Sequence, residues 1–106
     1  MRVRQLPNYD SACYHAQQSA EKYLKGRLAE AGLPFRKTHD LEELLNLILP
    51  IETAWTYLQA ELRYLNGFAV DIRYPGADAT KADAQAAVNA CRRVRKVIRT
   101  ALGLPV

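Results

Sequence analysis

Cysteine, histidine and tryptophan are scarce in this 106-residue chain, which holds two, two and one of them. Cys13 and Cys91 have no C-x-x-C neighbour and no histidine at zinc-ligand spacing, so neither a zinc site nor a disulfide framework is expected. Both stand at apolar positions of helical patterns and read as small buried hydrophobes in a reducing cytosol. Long apolar runs are missing too. Nothing approaches the roughly 18 residues of a membrane span, and the opening MRVRQLPNYD lacks the apolar core of a signal peptide. The expectation is a cytoplasmic protein with no membrane attachment. With 49% hydrophobic residues, the chain reads as one domain over 1–106, too small for a cofactor-sized internal cavity, and no cofactor or metal is expected.

Strand patterns are absent, and what stands in their place is helical periodicity. From Tyr9 to Ala31 the apolar residues Tyr9, Ala12, Cys13, Ala16, Ala20, Tyr23, Leu24 and Ala31 share one side of a wheel. Asn8 or Asp10 suits its start, and Gly32 followed by Pro34 suits its end. A short second helix is expected after Thr38 as N-cap, with Asp40, Glu42 and Glu43 in the positive first turn and Leu41, Leu44, Leu45 and Ile48 buried. Pro50 suits the first turn of a third, with Ile51, Ala54, Trp55, Leu58, Leu62 and Leu65 inward. Thr80 and Asp83 form a capping-box variant opening a fourth, which runs through Ala87, Ala90, Cys91, Val94, Val97, Ile98 and Ala101 to Gly103. Short connectors then predict an all-α fold, an antiparallel up-and-down bundle of four main helices.

Alternating directions would bring three segments to one pole: the end of the first helix, the start of the second, and the loop AVDIRYPG at 69–76. Lys25, His39, Asp40, Asp71, Arg73 and Tyr74 are the side chains gathered there. Pro75 pushes Tyr74 into extended geometry, which holds Arg73 on a stiff turn. Such a mixture suits phosphate or nucleotide binding, with the Arg73 guanidinium as a bidentate clamp; it equally suits salt bridges and caps that tie the loop down.

Three stretches in order, Tyr14-His-Ala-Gln-Gln-Ser-Ala-Glu-Lys-Tyr-Leu-Lys25, Thr38-His-Asp-Leu41 and Arg73-Tyr-Pro75, resemble the HEPN domains of bacteria and archaea. The resemblance implies a helical bundle that commonly dimerises, is often encoded beside a minimal nucleotidyltransferase, and in many branches acts as an RNA-cleaving toxin or a nucleotide-binding module. The ribonuclease members carry an arginine followed after four to six residues by a histidine. Here His39 follows Arg36 after two residues, His15 follows Arg4 after ten, and no histidine follows Arg73. Without an imidazole at that place, acid/base chemistry would need another group with a displaced pKa, which points away from ribonuclease activity.

Two faces remain. Tyr14, Gln18, Glu21 and Lys25 recur at i, i+4, i+7 and i+11, a stripe suited to an interface with a second subunit or partner, although Glu21 and Lys25 also form a favourable i, i+4 pair. The net charge is +4, and Lys81, Arg92, Arg95, Lys96 and Arg99 lie on the fourth helix opposite its apolar side, with Arg93 among them. That is either a solvated face near a helix C-terminus or a track for the phosphates of RNA or for an acidic partner. No aromatic is interleaved in it, which argues against stacking on single strands. The expected function is a HEPN-type interaction module, dimeric, working with a minimal nucleotidyltransferase in a toxin-antitoxin-like pair and binding nucleotide or RNA. The alternative is a metal-independent ribonuclease toxin with a non-standard site of His39, Arg73 and Tyr74.

Overall fold

The computed structural model describes residues 9–68 and 79–105. They form four α-helices and one 3-10 helix: α1 (Tyr9–Glu30), α2 (Leu41–Ile48), the 3-10 segment Thr53–Leu58, α3 (Gln59–Asn66) and α4 (Lys81–Ala101). No strand occurs among the described residues, so the fold is all-α as the periodicity required. The core is a single cluster, with Leu24 and Leu28 from α1, Leu41, Leu44 and Ile48 from α2, Leu62 and Leu65 from α3, and Val94 and Ile98 from α4 all fully buried. Small residues Cys13, Ala16 and Ala20 on α1 and Ala84, Ala87 and Ala90 on α4 let the two long helices approach closely, and this pair makes the most extensive contact in the fold.

Local chemistry sets the helix ends. Gly32 and Gly103 adopt φ of 72° and 74°, the left-handed geometry that closes a helix. Around them Leu33 N–H reaches Leu28 O and Leu104 N–H reaches Arg99 O, so both long helices end in Schellman motifs. Thr80 and Asp83 form a reciprocal capping box on α4 at 3.1 and 3.0 Å.

Several expected details are corrected. The cap of α2 is Asp40, not Thr38: Asp40 Oδ1 accepts from the N–H groups of Glu42 and Glu43, and His39 therefore precedes the helix. Thr38 is buried instead, accepting from Asp40 N–H and donating to Glu43. Asp10 lies inside the first turn of α1, where its carboxylate receives the Ala79 N–H at 2.7 Å. Pro50 does not open the third helix. It sits in a turn where Ile48 O accepts from both Ile51 and Glu52, and the chain resumes as a 3-10 segment that buries Trp55 and Leu58 at i, i+3 while Ile51 and Ala54 stay exposed. Ala31 and Ala101 are exposed at their helix ends, and Cys91 is only half-buried.

Direction differs for both α2 and α4 relative to α1. The segment after Gly32 uses its length to return along α1, so that His39 lies beside Gln17 and Glu21 while Glu52 lies beside Arg27. The second helix therefore runs with α1 rather than against it. Contacts of Asp10 with Ala79 and of Tyr23 with Arg99 show that α4 also runs with α1. Among the described helices α3 alone is antiparallel to its neighbours, with Asn66 at the start of α2 and Tyr64 at the start of α4.

Candidate functional site

Glu21 is the centre of the first polar cluster. Its carboxylate, 12% exposed, accepts from Lys25 Nζ at 2.9 Å and from His39 Nδ1 at 2.9 Å. Partial burial is the largest single influence on its pKa and raises it, but the hydrogen bonds and charges of Lys25 and His39 together outweigh it and leave the carboxyl below its ordinary value. Buried Gln17 donates its amide to the His39 carbonyl at 3.2 Å, so the imidazole is positioned through both its backbone and Nδ1. The ring itself is 63% exposed. Phe35 stacks near Lys25, with the ammonium 5.9 Å from the ring centroid. Lys25 and His39 thus share Glu21 of the Tyr14–Lys25 stripe, although the alternating directions expected to gather them at one pole do not hold.

Asp40 turns away from that pair. Besides capping α2, its Oδ1 accepts from Asn66 Nδ2 at 3.0 Å, while Asn66 Oδ1 accepts the Leu41 N–H at 2.8 Å. The start of α2 is thereby fastened to the end of α3, with Arg63 on Glu42 and Arg36 on Glu43 as flanking pairs. Asp40 is a structural cap here. Tyr14 and Gln18 satisfy each other, Gln18 Nε2 donating to the Tyr14 hydroxyl at 2.7 Å, and both are half-buried rather than fully outward. Arg73 and Tyr74, with Asp71, lie outside the described residues.

The second candidate is the outer face of α4. Every carboxylate of the described residues is engaged inside the fold: Asp10, Asp40 and Asp83 hold backbone N–H groups, and Glu21, Glu30, Glu42, Glu43, Glu52 and Glu61 hold cationic side chains. The cations are not used up in the same way. Lys81, Arg92, Arg95 and Lys96 are exposed and meet no partner among the described residues. At about 100° per residue they occupy an arc of roughly 100° opposite Ala87, Ala90, Val94 and Ile98. Arg93 is held by Glu61 at 2.9 Å, and Arg99 is drawn off the face by the Pro105 carbonyl and the Tyr23 hydroxyl. Of the five cations assigned to the stripe, four therefore remain available and Arg99 is occupied.

Beside that face a groove of about 750 Å³ runs between α1 and α4, lined among others by Tyr9, Ala12, Lys81, Gln85, Val88 and Arg92. Tyr9 puts an aromatic ring next to the basic stripe from the other end of the sequence, which a scan of the fourth helix alone misses. Gln17 was legible, since 13, 16, 17, 20 and 24 share the buried register. Asn66 gave no local signal.

A family model described as HEPN domain matches residues 4–101. No curated protein and no solved structure matches this chain.

Proposed function

We propose, from the premise that this chain belongs to the HEPN domain family, that it is a non-catalytic helical interaction module that holds RNA through the outer face of α4. In this reading it is a single cytoplasmic domain over 1–106, dimeric as members of the family commonly are, and it works with a minimal nucleotidyltransferase in a toxin-antitoxin-like pair. The observation that carries the reading is the unequal use of charge. Described carboxylates are consumed by caps and ion pairs, whereas Lys81, Arg92, Arg95 and Lys96 meet no partner among the described residues and share one side of one helix. Among the described residues every carboxylate is engaged with a backbone N–H or with a cation other than these four. Phosphates along an RNA backbone supply the missing partners, and release of their counterions drives the association. The described residues contain no helix long and apolar enough to cross a membrane. The nucleotide or phosphate role of Lys25, His39, Arg73 and Tyr74 stands behind this: Glu21 already neutralises Lys25 and engages His39.

One contact favours a second reading, ribonuclease activity. A carboxylate–imidazole pair, Glu21 and His39, with an exposed ring, has the layout of an oriented general base. Against it stands the missing Arg-x4-6-His motif. Incubating the purified protein with labelled RNA in chelator at low salt separates the two. The binding module retards full-length RNA. Cleavage that disappears in His39→Ala or Arg73→Ala replaces it with the enzyme. Co-expression with a neighbouring nucleotidyltransferase is expected to give co-elution in size-exclusion chromatography, and separate elution removes the pairing.

A further inference from the structure

We infer that the α1–α4 groove takes an unpaired base of a single-stranded RNA whose backbone phosphates, upstream and downstream of that base, meet Lys81 and Arg92, so that the basic face selects single strands over duplex. The inference rests on the RNA-holding reading above and specifies its substrate. Four features coincide in the groove. Its volume of about 750 Å³ falls within the range of ordinary ligand clefts. Its wall carries an aromatic ring, Tyr9, with Ala12, Ala84 and Val88 as apolar floor. Gln85 and Asn89, both exposed and without a partner among the described residues, offer amide donors and acceptors to a base edge. Lys81 and Arg92 line the same groove, eleven residues and thus about 16 Å apart along the helix axis.

The grouping discriminates among polyanions. A ring flanked by cations is the arrangement on which unpaired bases stack while their phosphates are neutralised. In an A-form duplex the bases are locked in their own stack and present only edges and backbone, so the ring and floor would have nothing to receive. An acidic peptide would satisfy the cations without a base to stack on the ring, and the polyglutamate probe below tells it apart. The aromatic comes from α1 and the cations from α4, which is why the stripe read along one helix lacked a stacking partner. The packing of these two helices creates the site.

The test is fluorescence anisotropy at fixed low salt with four probes of matched charge: a single-stranded RNA, an RNA duplex of half its length, an abasic single strand and polyglutamate. Single-stranded RNA is expected to bind about 5- to 160-fold tighter than the abasic strand, the span of one stacked base, and tighter than the duplex. Tyr9→Phe keeps that ratio, whereas Tyr9→Leu, which retains apolar bulk, brings it close to one. Equal binding of the single-stranded, abasic and duplex probes, or a ratio unmoved by Tyr9→Leu, overturns the inference and leaves the backbone-holding reading intact. No binding of any RNA, or a preference for polyglutamate, overturns both. The comparison of probes on the unaltered protein needs no variant to fold.

Discussion

Replacing Asp40 by alanine should destabilise the fold by about 2 kcal/mol without changing RNA affinity. Its Oδ1 accepts the N–H groups of Glu42 and Glu43 at 3.0 and 3.2 Å and the Asn66 amide at 3.0 Å. Loss of an N-cap costs about 1 kcal/mol, and loss of a half-exposed tie between α2 and α3 costs about 1 kcal/mol more. Alanine keeps none of these acceptors. For a domain of this length the sum corresponds to a fall in Tm of roughly 8–16 °C. Asparagine retains an acceptor oxygen and should cost about 0.5 kcal/mol. Urea denaturation followed by circular dichroism reads both variants, with m unchanged because the surface exposed on unfolding is the same. A loss below about 0.5 kcal/mol in Asp40→Ala, or equal losses in the two variants, refutes the assignment of Asp40 as a cap. A selective loss of RNA binding with intact stability would return it to the ligand site.

Stability should also fall in acid through Glu21. Its folded pKa lies below the ordinary 4.5, so its contribution is present above that value and is lost as pH falls through the lower, folded one. Urea melts of Glu21→Gln should show a shallower decline below about pH 4.5 than the parent chain, and parallel declines would contradict the Lys25–Glu21–His39 arrangement. Leu24, fully buried between α1 and the rest of the core, should lose about 2–5 kcal/mol on truncation to alanine; a loss under about 1 kcal/mol would place it outside the core. At Gly32 there is open space for a Cβ but φ is 72°, so Gly32→Ala should cost about 1 kcal/mol in the same melts, and a neutral result would mean α1 does not end in left-handed geometry.

Much of this was written locally. The buried register of Leu41, Leu44, Leu45 and Ile48, the glycines that end α1 and α4, and the Thr80–Asp83 box each depend on neighbours within one turn, and each is legible in the order of residues. What escaped depends on tertiary choices. Thr38 and Asp40 are both competent caps; packing decides, because burial commits Thr38 to Glu43 and leaves Asp40 to the helix. A connector long enough to reverse or to return does not declare which, so the direction of α2 could not be read from length. Lys25 and His39 share Glu21 in the middle of α1 rather than a pole at its end, because α2 runs with α1 instead of against it. The basic stripe was visible as a pattern, but which cations stay available follows from Glu61 taking Arg93 and from the C-terminal turn taking Arg99. The turn at Arg73 and Tyr74 lies outside the described residues and keeps its place only as a sequence expectation.

The most direct measurement is the salt dependence of binding to a single-stranded RNA. If Lys81, Arg92, Arg95 and Lys96 each neutralise one phosphate, log K should fall with log salt at a slope of about −2.8, and Arg92→Gln with Arg95→Gln should reduce it to about −1.4. The same slope in parent and double variant, or no measurable affinity at low salt, would contradict the claim that the outer face of α4 is a phosphate-binding surface.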